Sequence, residues 1–237
     1  MKALIFAAGL GTRLKPLTDT MPKALVPVDG EPMLKKVLDK LIASGYDDIV
    51  INVHHFADQI RQYVRDNQNF GIKIQFSDET DLLRETGGGI RHAEPLLGGP
   101  DAEPFLVHNV DIMSNLDLDW FKSQRQPGDL STILVSNRKT ARYFLFDDEL
   151  RLVGWENVET GEVRSPYSGI DVDQCTPLAF AGIHYISPEI FPLMRDWPEK
   201  FSIVDFYLEN CRTNTIRAAV PESLEIRDIG KISQIII

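Results

Sequence analysis

Gly9, Gly11, Arg13 and Lys23, close together near the start of the chain, have the types and spacing to hold a polyphosphate. Glycine has no Cβ, so a turn built on Gly9 and Gly11 can bring main-chain N–H groups close to an anion. The guanidinium of Arg13 offers a fork that matches phosphate oxygens, and the ammonium of Lys23 adds a compact point charge. The elements that must position these groups can be read on either side. An apolar run at residues 3–8 reads as a buried strand that ends in Ala7 and Ala8 and empties into the turn. A proline-punctuated segment then delivers Lys23, and a second apolar patch, residues 24–28, closes the unit. Two other phosphate loops are excluded. A dinucleotide fingerprint needs a third glycine where Leu14 stands, and no G-x-x-x-x-G-K-[ST] run occurs.

Glycines and carboxylates recur further along. E-T-G-G-G-I at residues 85–90 opens a helix running toward Leu97, and three successive glycines cost backbone entropy unless something approaches that backbone closely. Asp111 follows a core strand at residues 105–109, and Asp228 falls at the end of an apolar strand, residues 224–229. A carboxylate just past the carboxyl end of a parallel strand sits at the crevice where open α/β sheets bind ligands. Paired histidines, His54 and His55, have no third ligand nearby and read as structural or solvated.

G-x-G-x-R-x-x-P-x-T followed by P-K-A-L-x-P is matched at Gly9, Gly11, Arg13, Pro16, Thr18, Pro22, Lys23, Ala24, Leu25 and Pro27. This resembles the signature of the sugar-1-phosphate nucleotidyltransferases. Within them, E-T-G-G-G-I looks most like the N-acetylmuramate-1-phosphate uridylyltransferases. The resemblance implies attack of a sugar-1-phosphate oxygen on the α-phosphorus of a nucleoside triphosphate, with release of pyrophosphate. It implies an α/β fold, a Rossmann-like mixed and mostly parallel sheet flanked by helices. Nucleotide contacts are implied at Ala7, Ala8, Gly9, Gly11, Thr12, Arg13, Lys23, Thr86, Gly87 and Gly88, with Arg13 and Lys23 as the catalytic cations. Asn109 and Gly182 are implied for the sugar, and Asp111 and Asp228 for one Mg²⁺.

UTP is the first expectation, because a pyrimidine fits a tight glycine-floored slot with less room than a purine. GTP, with transfer to mannose- or heptose-1-phosphate, is the alternative, since mannose-1-phosphate guanylyltransferases share the opening motif almost letter for letter. Cytidylyl transfer to phosphocholine would need an aromatic cage, for which Trp155, Tyr143 and Tyr167 are available. A catalytically idle nucleotide-sugar sensor would be expected to lose Lys23 or an aspartate, and this chain retains all three.

Helices and strands alternate after the opening unit. Helical spacing covers Met33, Val37, Leu38, Leu41 and Ile42 up to Gly45, and again Phe56, Ile60, Tyr63 and Val64. Strands are expected at residues 49–53, 71–76, 132–135, 180–186 and 216–220, with a hairpin over 143–146 and 150–155. Helices are expected at 117–126 and 203–211, another begins at Ser187, and residues 98–104 form a loop. The polar stretch 156–177 reads as a long connection forming part of a sugar-facing flap, and residues 224–229 as the strand that finishes the sheet.

Three departures from the family pattern bear on the site. Val110 stands where a glycine usually precedes the metal aspartate, which is tolerable only if that backbone is not left-handed. The family's Glu-Lys-Pro segment has no clear counterpart. Trp155-Glu156-Asn157 is nearest, so the sugar phosphate would fall to Lys23, Arg138, Lys139 or Arg142. Lys231 follows D-I-G in place of the frequent Thr-Pro.

Composition sets the outer bounds. With 237 residues, 43% hydrophobic and 25% charged, the chain reads as one nucleotidyltransferase domain, residues 1–237, with no appended β-helix. A net charge of −10 argues against a nucleic-acid or anionic-membrane surface, while a triphosphate needs only local cations. Cys175 and Cys211 lack metal-ligand spacing and read as free thiols, and no signal or membrane segment is visible. A cytoplasmic enzyme, monomer or homodimer, is the expectation.

Overall fold

The apolar run at the start becomes the central strand, β1 (Lys2–Phe6), of the computed structural model, which describes residues 1–98 and 102–230. Ala3 and Ile5 pack into the core on one face of the sheet, and Leu4 into the core on the other. Burial on both faces is why the run does not alternate with polar residues. The chain then makes short 3-10 turns, a ribbon of β2 (Pro27–Val28) and β3 (Glu31–Pro32), and helix α1 (Met33–Ala43). Met33, Leu34, Val37, Leu38 and Leu41 bury one face of α1. Each such side chain contributes roughly 1.5–3 kcal/mol. Gly45, at φ 80°, lets the chain turn back into β4 (Asp48–Val53).

After β4 come α2 (Ala57–Asp66), β5 (Lys73–Asp78), α3 (Glu85–His92), α4 (Glu94–Leu97) and β6 (Phe105–Asn109). The strands β5, β4, β1 and β6 lie side by side in parallel. Next are β7 (Ile112–Ser114), α5 (Leu118–Ser123), β8 (Asp129–Ser136), β9 (Arg142–Phe146), β10 (Leu152–Asn157) and β11 (Glu162–Arg164). The long β12 (Thr176–Ile186) pairs antiparallel with β6, β8 and β9, so the sheet is mixed. α6 (Ile190–Met194), α7 (Ile203–Asn210), β13 (Thr215–Ala219) and β14 (Ile226–Asp228) complete the described chain. The expected α/β architecture, a Rossmann-like sheet with helices on both faces, is the one observed.

Several expectations need correction. The helix from residue 85 toward Leu97 is two helices, parted at Ala93 ahead of Pro95, which has no N–H to continue the ladder. The polar stretch 156–177 is not all connection. Trp155, Glu156 and Asn157 extend β10, and β11 pairs with them. Residues 224–229 do not finish the main sheet. β14 instead pairs antiparallel with β7, a strand the sequence reading missed, in a separate two-stranded ribbon. Part of the 98–104 loop, residues 99–101, and Lys231 lie outside the described residues. Among the described residues no helix is long and apolar enough to cross a membrane.

Two histidines are fully inside. His184 sits in a chain of hydrogen bonds, its Nδ1 2.6 Å from the Tyr207 hydroxyl, which lies 2.8 Å from Ser131 Oγ. His108 Nδ1 lies 2.8 Å from the Asn109 carbonyl, and its Nε2 is buried without a hydrogen-bond partner among the described residues. Burial pushes His108 from 6.5 down to about 4 and His184 down to about 3. Both rings are therefore neutral in the fold, and below pH 6.5 the unfolded chain binds more protons than the native one. Stability is expected to be full above pH 6.5 and to fall as the pH drops through 4. His108→Asn, which keeps a donor for the Asn109 carbonyl, should flatten that slope in urea titrations taken across the same window. A slope identical to the parent's would show that His108 is not held neutral.

Candidate active site

β1 and β6 are parallel neighbours, with Phe6 opposite Asn109, so the turns that follow them emerge side by side. The Val110 N–H donates to the Phe6 carbonyl at 3.1 Å and ties the two exits together. A cavity of about 280 Å³ opens there, lined by Phe6, Ala8, Gly9, Lys23, Asn109 and Asp111 among others. This is the carboxyl end of the parallel strands, where the sequence placed its ligand. A Cβ on Gly9 would meet no protein atom within 4 Å. Gly11 is different. Its φ is 64°, and a Cβ there would come within 2.8 Å of Thr18 Cγ2 and 3.0 Å of Lys23 Cβ. Thr18 Oγ1 also donates to the Gly11 carbonyl at 2.8 Å. The glycine, threonine and lysine of the motif thus lock one another, which fixes where Lys23 starts.

Lys23 forms an ion pair with Asp111, and both side chains are largely buried, 13% and 16% exposed. Asp228 reaches the same place through the β7–β14 ribbon, whose register sets it opposite Ile112, while the Ile229 N–H donates to the Asp111 carbonyl at 2.9 Å. Gly230 lies between the remaining groups. A Cβ there would fall 2.7 Å from Arg13 Nη2 and 2.8 Å from Asp228 Oδ1. Arg13, Lys23, Asp111 and Asp228 therefore gather in one crevice, although the chain separates the first from the last by 215 residues. Thr12 is exposed at the start of the 3-10 turn that carries Arg13.

Residues 2–145 match the Nucleotidyl transferase family. The chain belongs to that family. An N-acetylmuramate alpha-1-phosphate uridylyltransferase of Caulobacter vibrioides is 32% identical over 228 residues, covering 94% of this chain and 89% of that protein. A mannose-1-phosphate guanyltransferase of Gibberella zeae is 36% identical over 138 residues, 57% of this chain and 37% of its own length. Among solved structures, HddC from Yersinia pseudotuberculosis complexed with GMP-PN aligns over 98% of this chain and 95% of its own, with a TM-score of 0.76 and 25% identity.

Whether this nucleotidyl transferase site suits a divalent cation can be judged from its donors. Among the described residues no three His, Cys, Asp or Glu side chains converge as a metal cage. The ribbon sets Asp228 and Asp111 at one place beside the glycine turn, and Mg²⁺ suits such a place because it takes one or two carboxylates and completes its shell with phosphate and water oxygens. Lys23 engages Asp111 Oδ2, and the Gly230 N–H donates to Asp228 Oδ1 at 2.9 Å. The residues fit Mg²⁺.

The cavity wall at residues 83–88, expected to meet the base, has its own construction. Leu83, Glu85 and Thr86 line the cavity, but Gly87 and Gly88 face the other way. Their N–H groups donate to the Phe201 carbonyl at 2.9 and 3.2 Å, and a Cβ on either would collide with Phe201 or the Glu199 carbonyl at 2.3 Å. These glycines admit the backbone before α7, which approaches them from that side. Ala7 and Ala8 also have their N–H groups occupied, both donating to Asn52 Oδ1, at 2.7 and 3.1 Å. Asn52 and Glu79, both buried and both lining the cavity, were missed. The available signal was a lone amide inside the apolar run at residues 49–53.

Of the two residues expected to meet the sugar, Gly182 has a φ of 73°, and a Cβ there would press within 2.5 Å of Asn109 Nδ2. Gly182 therefore makes room for the Asn109 amide. Residues 176–181 of β12 run on past the end of β6, and β9 pairs with residues 176–178, so the β9–β10–β11 extension stands on the crevice side. Lys139 and Arg142 are exposed there, and the Arg138 guanidinium donates to the Phe180 carbonyl at 3.3 Å. Val110 does not adopt a positive φ, so its side chain costs no strain and packs into the core. Trp155, Tyr143 and Tyr167 do not form a cage. Arg164 lies 5.6 Å over the Trp155 ring, Tyr143 Oη accepts from the Thr140 N–H, and Tyr167 Oη donates to the Cys211 carbonyl.

Proposed function

We propose that this protein transfers a uridylyl group from UTP to a sugar-1-phosphate, releasing pyrophosphate, with Mg²⁺ held by Asp111 and Asp228. The observation that carries the reading is the gathering of the glycine turn, Arg13, Lys23 and the two aspartates at the paired ends of β1 and β6. The uridylyl choice is supported by the likeness to the Caulobacter vibrioides uridylyltransferase, which runs over 94% of this chain.

In this reaction a sugar-phosphate oxygen bonds to the α-phosphorus as the bond from that phosphorus to the bridging oxygen breaks. The electron pair leaves with pyrophosphate. Both reactants are anions, so the protein's work is charge neutralisation and in-line positioning. Lys23, anchored by Gly11 and Thr18, would face the charge that builds at the α-phosphate. Arg13 would grip the departing phosphates, and Asn109 would hold the sugar across Gly182. Mg²⁺, when bound, would neutralise phosphate charge and orient the oxygens.

Guanylyl transfer is the second reading, favoured by the 36% identity to the Gibberella zeae guanyltransferase over 138 residues. A panel of the four triphosphates against several sugar-1-phosphates, scored by pyrophosphate release with and without Mg²⁺, tests both. UTP is expected to lead by about tenfold or more. Fastest release with GTP would overturn the uridylyl assignment, and no release with any pair would overturn nucleotidyl transfer itself.

A further inference from the structure

We infer that Asn52 and Glu79 form a buried positioning pair that fixes the phosphate turn against the wall of the base pocket. Its kinetic consequences rest on the nucleotidyl-transfer reading; its structural ones do not. Asn52 is 2% exposed and Glu79 not at all. Asn52 Oδ1 accepts from the N–H groups of Ala7 and Ala8, the two residues before Gly9. Its Nδ2 donates to Glu79 Oε1 at 3.0 Å, and Glu79 Oε2 accepts from the Arg84 N–H at 3.0 Å. Arg84 directly precedes the cavity residues Glu85 and Thr86. One line of side chains therefore spans from the mouth of the phosphate turn to the opposite wall.

The hydrogen-bond logic leaves little freedom. A flipped Asn52 amide would set its NH₂ against two N–H donors and its oxygen against a carboxyl oxygen, so the orientation is dictated. No lysine or arginine among the described residues forms an ion pair with Glu79. If packing alone mattered, aliphatic side chains would fill this space at lower cost, since a buried amide and carboxyl are tolerated only when fully satisfied. The third glycine of the triplet belongs to the same device. A Cβ on Gly89 would fall 2.9 Å from Glu79 Oε1 and 2.9 Å from Phe6 Cε1. The carboxyl thus occupies the volume that Gly89 leaves clear. A link of this kind sets the separation of the two walls, and sub-ångström placement is what in-line transfer needs.

A donor–acceptor swap tests the pair. In Asn52→Asp the new carboxylate still accepts from Ala7 and Ala8, but its second oxygen faces Glu79 Oε1, acceptor against acceptor. In Glu79→Gln an NH₂ must face either the Asn52 NH₂ or the Arg84 N–H, donor against donor. Combined, the two changes restore every bond. The new carboxylate accepts from Ala7, Ala8 and the new amide, whose oxygen accepts from Arg84, and the net charge is unchanged. Each single change should lower kcat about 30-fold or more at neutral pH, and the double should return to within about fivefold of the parent.

Hydrogen–deuterium exchange over residues 3–12, measured without substrate, should be faster in the singles and return to the parent's rate in the double. A folded double variant no faster than the slower single, or singles with the parent's kcat and exchange, would overturn the inference. If a single variant is insoluble, the double decides by being folded and near-parental or not. If the parent releases no pyrophosphate from any substrate pair, the reading of function falls, and the exchange pattern of the four proteins still upholds or overturns the pair.

Discussion

An Asp228→Asn enzyme is expected to turn over at least about a hundredfold more slowly than the parent, because a carboxylate charge facing phosphates supplies several kcal/mol. Its melting temperature should barely move. Asp228 is exposed, the amide has the same shape, and the oxygen that accepts from the Gly230 N–H is kept. Asp111→Asn should match the kinetic loss but also lower stability, since it strips Lys23 of its counter-charge at a largely buried place. The contrast between the two variants separates a ligand lost from an ion pair broken. Pyrophosphate release, thermal unfolding and Mn²⁺ titration of each protein make the comparison. Near-parental turnover in Asp228→Asn would remove that residue from the site and require the second carboxylate ligand to be sought elsewhere.

Asp228 also marks where the sequence stopped being legible. Its position at a strand end could be read, because apolar residues bracket it and strands are local in sequence. Its partner strand could not. β7 is three residues long, follows Asp111 with no break, and pairs with residues more than a hundred positions away. Nothing local tells a short strand whether to join the main sheet or form its own ribbon. The same limit explains the glycine triplet. Three glycines state that something comes close, and only the fold shows that Phe201, Glu199 and the Glu79 carboxyl are what comes. The opening motif was legible almost throughout because its constraints are short-range. Gly11, Thr18 and Lys23 lie within 13 positions and touch one another, so spacing alone carries the geometry. Asn52 was unread for the opposite reason: it makes its bonds across strands to residues on either side of the cavity.

Lys23→Ala should depress kcat by about two orders of magnitude or more while the apparent affinity for the triphosphate changes several-fold at most. The split follows from how the side chain is held. Gly11 and Thr18 fix its root, and Asp111 holds its ammonium before any reaction charge exists. In the ground state the ammonium therefore already has a partner, and its added value arises when negative charge grows at the α-phosphate. Lys23→Arg is not expected to rescue. The root is pinned beside the Gly11 Cα, and a planar fork cannot replace a point charge from the same position. Lys15→Ala supplies the control for general loss of positive charge. Lys15 pairs with Asp19 on the exposed side of the turn, and its removal should leave kcat unchanged. Steady-state kinetics with triphosphate and sugar phosphate varied in turn would show the split. A raised Michaelis constant with parental kcat would mean that Lys23 binds substrate and transition state equally, and the charge stabilisation would then have to come from Arg13 or the metal.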